Sequence, residues 1–233
     1  MKQYFSFNSH THDLWEIYEA IKKHYPIGIR KNEGRGIYGS YPGLKEYEKA
    51  LVINIHDDNN YRTHWVRFTD EIGQEFGKEM QGTTYGQAPS FSAFMILERH
   101  QFGDCIHSKE LHFAVSLLGK FFQIYGVDVT RILDEKGGIS YSCINVITPS
   151  PFQKFSASFE FVEKKIREKY LLYKIVPFSI GQGIIKGLEV NYIDDEDCTI
   201  NKALFNQFLS KENIPGLTRG DIYYGMDDWK KTE

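Results

Sequence analysis

A chain of 233 residues with 41% hydrophobic and 25% charged side chains has the balance of a globular protein, which excludes a disordered or collagen-like chain. A formal net charge of -3 supplies no global field for drawing in nucleic acid or anionic lipid. No stretch approaches the roughly 20 apolar residues that span a bilayer, and MKQYFSFNSHTHD lacks the apolar core and cleavage site of a signal peptide, so a cytoplasmic location is expected.

In chain order, Leu14, Ile17, Tyr18 and Ile21 form one stripe at helical spacing and predict a helix over Asp13 to His24, ended by Pro26. From Lys49 to Phe68 the runs ALVINIH and YRTHWVRF, rich in branched and aromatic residues on either side of the turn-forming DDNN, predict a β-hairpin. A stretch punctuated by glycine leads into SFSAFMILE, short and apolar enough for a buried strand. Leu111, Val115, Leu118, Phe122 and Tyr125 follow at spacings of four, three, four and three, which predicts a helix capped by Ser108 and closed by Gly126.

After the Lys136, Gly137, Gly138 turn, ISYSCINVIT reads as a strand running into TPSPFQKF. There Ser150 takes the N-cap position, Pro151 N1 and Gln153 N3 of a helix that buries Phe152, Phe155, Phe159, Val162, Ile166 and Tyr170. YKIVPFSI and GIIKGLEVNY read as two strands about Gly181, with Pro177 placing the first at a sheet edge or bulge. Ile200 to Leu209 is a last helix capped by Thr199 or Asp197, and the tail's Tyr223, Tyr224 and Trp229 are expected to pin it to the body. This order lacks regular strand-helix alternation, so the fold class is α+β, a mainly antiparallel or mixed sheet covered by about four helices. The division is a single domain over 1–233, with at most a weak subdivision near 135–138.

Cys105, Cys143 and Cys198 are odd in number, far apart and never in a CxxC pair, which argues for reduced thiols and against a disulfide framework or zinc site. His10, His12 and Asp13 form an HxHD that resembles the first motif of metal-dependent amidohydrolases over four residues. That family's barrel of roughly 250 residues, with further histidines and a late aspartate, is not supplied by the strand pattern. Glu98, His100, Asp104 and His107 are a second possible ligand cluster, but eight histidines produce such proximities by chance, and no metal or cofactor is assigned. There is no GxSxG elbow or Cys/His signature, so no catalytic residue is named. Gly181, Gly183 and Gly187 in GQGIIKG lie between predicted strands and read as a bend, not as a phosphate loop.

The remaining constellation is acidic. Asp194, Asp195, Glu196 and Asp197 precede the last helix, where negative charge suits the helix dipole. Joined by Asp227, Asp228 and Trp229, the first three would form a surface that steers a basic protein partner and anchors it through an aromatic. The expectation is a cytosolic, non-enzymatic protein-binding protein of inhibitor or immunity type. Its rivals are a metal-dependent hydrolase using the HxHD cluster, and a small-ligand carrier lined by the abundant aromatics, which would show a deep pocket.

Overall fold

The computed structural model describes residues 3–32, 35–209 and 216–231. Helix α1, Trp15–His24, turns Ile17 and Ile21 into the core, as its stripe predicts. After α2, Arg35–Gly39, the chain is helical almost throughout from Pro42 to Phe76. It passes through α3 (Pro42–Leu51), a π turn (Val52–His56), α4 (Asp58–Tyr61), a second π turn (Arg62–Val66) and α5 (Arg67–Phe76).

The hairpin expected over Lys49 to Phe68 is therefore corrected to helix. Leu44, Tyr47 and Leu51, then Trp65, Phe68 and Ile72, are buried at spacings of three and four, and this tertiary burial outweighs the β preference of the branched residues between them. The DDNN stretch does break the chain, but between helices. Asp57 is extended and its carboxylate accepts from Asn60 N at 3.0 Å, capping α4.

A six-stranded, mainly antiparallel sheet follows: β1 (Met80–Gly82), β2 (Ser90–Phe102), β3 (Cys105–Ser116), β4 (Phe121–Leu133) and β5 (Ile139–Thr148) pair in sequence order. The short β6 (Lys174–Ile175) runs parallel to the start of β4, beyond the reach of β5. The fold class is thus α+β. The turn at Lys136 to Gly138 joins β4 to β5 within this sheet, with Asp134 Oδ1 accepting from Lys136 N and Gly138 N.

The helix expected from Ser108 to Gly126 is replaced by strands β3 and β4. Their inner halves are buried on both faces, so the two-residue alternation of Leu111, Phe113 and Val115 is masked by apolar neighbours that also fit a helical stripe. Gly126 closes no helix. It lies within β4, where a Cβ would meet the Phe155 ring at 2.5 Å, so glycine here permits close packing.

Helix α6, Ser156–Lys169, buries Phe159, Val162 and Ile166, each worth roughly 1.5 to 3 kcal/mol of apolar transfer. With α5 it covers one face of the sheet. The capping arrangement predicted at its start is corrected: Gln153 has a left-handed φ of 49°, Phe152 is partly exposed, and a 3-10 turn over Gln153–Phe155 precedes the helix. Ser150 Oγ instead accepts from Asp221 N at 2.8 Å, tying the tail to the end of β5.

The opposite face of the sheet sends Ala114 and Phe121 into a core shared with α1, α3 and α8 (Ile200–Leu204). The second expected strand pair is corrected as well. Only Lys174–Ile175 is strand, Pro177 starts the short α7 (Phe178–Gly181), and GIIKGLEVNY is an irregular cover that buries Ile184, Ile185, Leu188 and Val190. Thr199 caps α8 by accepting from Lys202 N at 3.3 Å, whereas Asp197 accepts from Gly187 N at 2.7 Å; the helix ends at Leu204, not Leu209. Among the described residues no helix is long and apolar enough to cross a membrane.

Candidate functional site

Strand alternation puts Ser108, Glu110 and His112 of β3 on one face of the sheet, opposite the face covered by α5 and α6. Glu110 is 1% exposed, and its carboxylate is fully engaged. It accepts from Ser108 Oγ at 2.7 Å, from both terminal nitrogens of Arg131 on β4, Nη2 at 3.0 Å, and from His112 Nε2 at 3.1 Å. Burial alone would raise this carboxyl, but the hydrogen bonds from His112, Arg131 and Ser108 and the Arg131 charge bring it down to about 2.

Glu110 therefore fixes the imidazole. An ionised carboxylate only accepts, so Nε2 carries the proton. Desolvation lowers the His112 pKa despite the neighbouring carboxylate, so the ring is neutral and Nδ1 is left as an acceptor. The ring stands in a cross-strand ladder: Phe94, His112 and Tyr125 are paired neighbours on β2, β3 and β4, with centroids 4.8 and 5.6 Å apart and planes within 18° and 11° of parallel. Phe208, beyond α8, packs against both His112 (4.4 Å) and Tyr125 (6.0 Å).

This ladder lines a cavity of about 410 Å³, within the range of small-molecule sites. Its other walls include Tyr85, Tyr192, Thr83 and Ser92, and none of the described residues that line it is an acid, lysine or arginine. Most polar groups on those walls are satisfied: Tyr192 OH donates to Lys202 O at 2.5 Å, Tyr85 OH to Gln87 Oε1 at 3.1 Å, and Thr83 Oγ1 to Ser92 Oγ at 3.1 Å. His112 Nδ1 and Tyr125 OH have no hydrogen-bond partner among the described residues. Among the described residues, the side-chain polar atoms sealed from solvent without a partner belong to Gln123, Tyr170, Ser179, Gln182 and Asn201. Nδ1 and the Tyr125 hydroxyl are not among them, and both residues line the cavity. Burial raises the Tyr125 pKa, so the phenol stays protonated and able to donate.

The residues singled out from sequence lie elsewhere. Asp194 is fully exposed, 3.9 Å from Lys31 Nζ, but Asp195 is paired with Lys202 and Glu196 with Arg30. Asp227 is exposed and bonded to Lys230 at 2.7 Å. Asp228 accepts from Arg167 Nη2 and Ile175 N, each at 2.9 Å, and Trp229 is buried at 1% exposure with its indole N–H donating to Ile175 O at 2.8 Å. These two residues pin the tail to β6, so the two acidic segments are held by different elements.

Of the histidine clusters, His12 bridges to Lys230 while its Nδ1 meets Thr11 Oγ1, His10 is exposed, and Asp13 Oδ1 accepts from Trp15 N at 3.1 Å at the start of α1. His100 and His107 do sit opposite one another on β2 and β3, but Glu98 is paired with Lys154 and Asp104 lies in the hairpin turn. Among the described residues no group of three His, Cys, Asp or Glu side chains is placed to hold a metal ion. Glu110 and His112 are hidden in the sequence because KELHF falls within the stripe that predicts a helix there. Read as a strand, Ser-x-Glu-x-His would have put all three polar side chains on one face.

Comparison with protein-family profiles, with curated proteins and with solved structures found no match to this chain.

Proposed function

We propose that this protein binds a small, uncharged organic molecule in the cavity beside the Phe94, His112, Tyr125 ladder. One observation carries the reading. Two polar atoms on deeply buried side chains, His112 Nδ1 and Tyr125 OH, have no hydrogen-bond partner among the described residues, and both side chains line an aromatic-walled space of about 410 Å³. Such polar groups are ordinarily satisfied, and a ligand that satisfies them gains hydrogen bonds inside a low-dielectric site. The Glu110 network supports it by holding the imidazole in one tautomer before a ligand arrives, which reduces the ordering cost of binding. The test is stabilisation by a library of neutral ring compounds. A molecule present at 100 times its Kd should raise the unfolding free energy by about 2.7 kcal/mol, and Gln207→Trp at the cavity rim should weaken that effect. A library that stabilises nothing, with no small molecule retained by the purified protein, would overturn the reading.

A second reading keeps the acidic run as a docking site for a basic protein, in the manner of an inhibitor or immunity protein. It is favoured by the full exposure of Asp194. Asp194→Lys should then slow association with that partner and flatten its salt dependence, and unchanged rates would exclude the reading.

A further inference from the structure

Resting on the cavity reading above, we propose that the ligand is a flat, neutral ring bearing a lactam edge, an N–H donor beside a carbonyl acceptor, as nucleobase-like and quinolone-like rings do. His112 Nδ1 would accept from the ring N–H, and the Tyr125 hydroxyl would donate to the adjacent carbonyl.

The geometry points to this class in three ways. First, the two groups are unlike. The Nε2 proton of His112 is committed to Glu110 Oε2 at 3.1 Å, so Nδ1 is an acceptor, while the Tyr125 phenol keeps its proton and is free to donate it. A ligand edge with only donors, or only acceptors, would satisfy one and waste the other.

Second, the two groups are neighbours. His112 and Tyr125 are directly paired across β3 and β4, with rings 5.6 Å apart and 11° from parallel, and both line the cavity, so one ligand can meet both side chains. A lactam offers both a donor and an acceptor within one small ligand.

Third, the walls suit a flat and uncharged body. Phe208, Tyr85 and Tyr192 supply aromatic faces, Tyr85 and Tyr192 meeting edge to face at 6.3 Å, and among the described residues no acid, lysine or arginine lines the cavity to pair with a charged group. A phosphorylated or carboxylated ligand would leave its charge uncompensated there.

The probes are 2-quinolone and N-methyl-2-quinolone, which differ by the one N–H, titrated into the full chain with ligand-observed NMR and calorimetry. We expect N-methylation to weaken binding at least about tenfold, the worth of one buried hydrogen bond with its orphaned acceptor. Tyr125→Phe, which removes no partner from the Glu110 network, should weaken 2-quinolone about five- to tenfold. His112→Phe should erase the preference for the N–H form, and because it orphans Glu110 its folding is checked by circular dichroism. Should it fail to fold, the comparison of the two probes on the native chain decides alone. If both probes bind alike, the lactam proposal is overturned while the cavity still takes ligands. If neither binds but other neutral rings stabilise the chain, the proposal again fails and the cavity reading stands.

Discussion

Glu110→Gln disturbs the network under the cavity while keeping the shape of the side chain. The carboxylate is 1% exposed and receives hydrogen bonds from Ser108, Arg131 and His112, and the Arg131 side chain is itself only 19% exposed. At an effective dielectric near 20 and about 4 Å, such a pair attracts by roughly 4 kcal/mol before desolvation is counted. Neutralising one partner leaves the guanidinium uncompensated, at about 3 to 5 kcal/mol, and glutamine turns an amide toward donors that need an acceptor. Keeping one carbonyl oxygen places the expected loss near the lower end, about 3 kcal/mol. Urea unfolding near neutral pH, followed by the fluorescence of the fully buried Trp65 and Trp229, reads it directly. The pH dependence gives an internal check. The Glu110 carboxyl falls from an ordinary 4.5 to about 2 on folding, so its contribution is complete above about pH 4.5 and fades as pH drops toward 2. The gap between native and variant should close over that window. A loss below about 1 kcal/mol, or a double variant with Arg131→Met whose cost is simply additive, would refute the reasoning.

Three further substitutions test the frame that positions the site. Phe159→Ala should cost about 3 to 5 kcal/mol, because the ring is fully buried at the centre of α6 and meets Tyr224 edge to face at 5.3 Å; a loss under about 1 kcal/mol in the same unfolding assay would mean that this face is not core. Ser150→Ala should cost about 1 kcal/mol through the lost acceptor for Asp221 N, and amide exchange should quicken in the tail around Asp221 while α6 is spared, whereas a change confined to α6 would restore the capping role. Gly126→Ala should cost about 1 to 3 kcal/mol, since the new methyl would overlap the Phe155 ring; a neutral midpoint would show that the ring moves aside freely.

The parts of the fold that were legible in the sequence are those where one pattern dominates. The α1 stripe, the apolar run of β2, the strand ending at Thr148 and the body of α6 each bury one continuous set of side chains. The errors have physical causes. Branched residues around Asp57 favour strands locally, but Leu51, Trp65, Phe68 and Ile72 gain more by packing as a helix. Strands β3 and β4 are buried on both faces near their shared turn, so apolar residues lie on either face, and Leu118, Phe122 and Tyr125 fit a helical stripe. At Ser150 the expected cap sequence is present, yet its hydroxyl is used by a backbone amide 71 positions along the chain, a long-range contact that local chemistry does not reveal.

The candidate site was hidden by the second of these errors. Once Ser108, Glu110 and His112 are placed on a strand, their shared face follows from a period of two, but Arg131 and Tyr125 join them only through register, and Phe208 only through the return of the chain after α8. The acidic run was visible in sequence as charge, while its partners Arg30, Lys31 and Lys202 lie far from it or beyond a turn in the chain. Asp195 and Glu196 thus have structural duties. Reversing all three acids to lysine would disturb the fold, and Asp194→Lys alone separates partner steering from stability.

The most direct measurement is nitrogen NMR of the His112 side chain during titration with a neutral ring compound that stabilises the protein. Near neutral pH the free protein should show a neutral imidazole protonated at Nε2, with Nδ1 resonating as an unprotonated, pyridine-type nitrogen. Saturation with ligand should shift the Nδ1 signal as it takes a hydrogen bond, leaving the Nε2 proton on the Glu110 side. A proton already on Nδ1 in the free protein, or an Nδ1 signal that does not move while the ligand binds, would contradict the assignment of this cavity as the binding site.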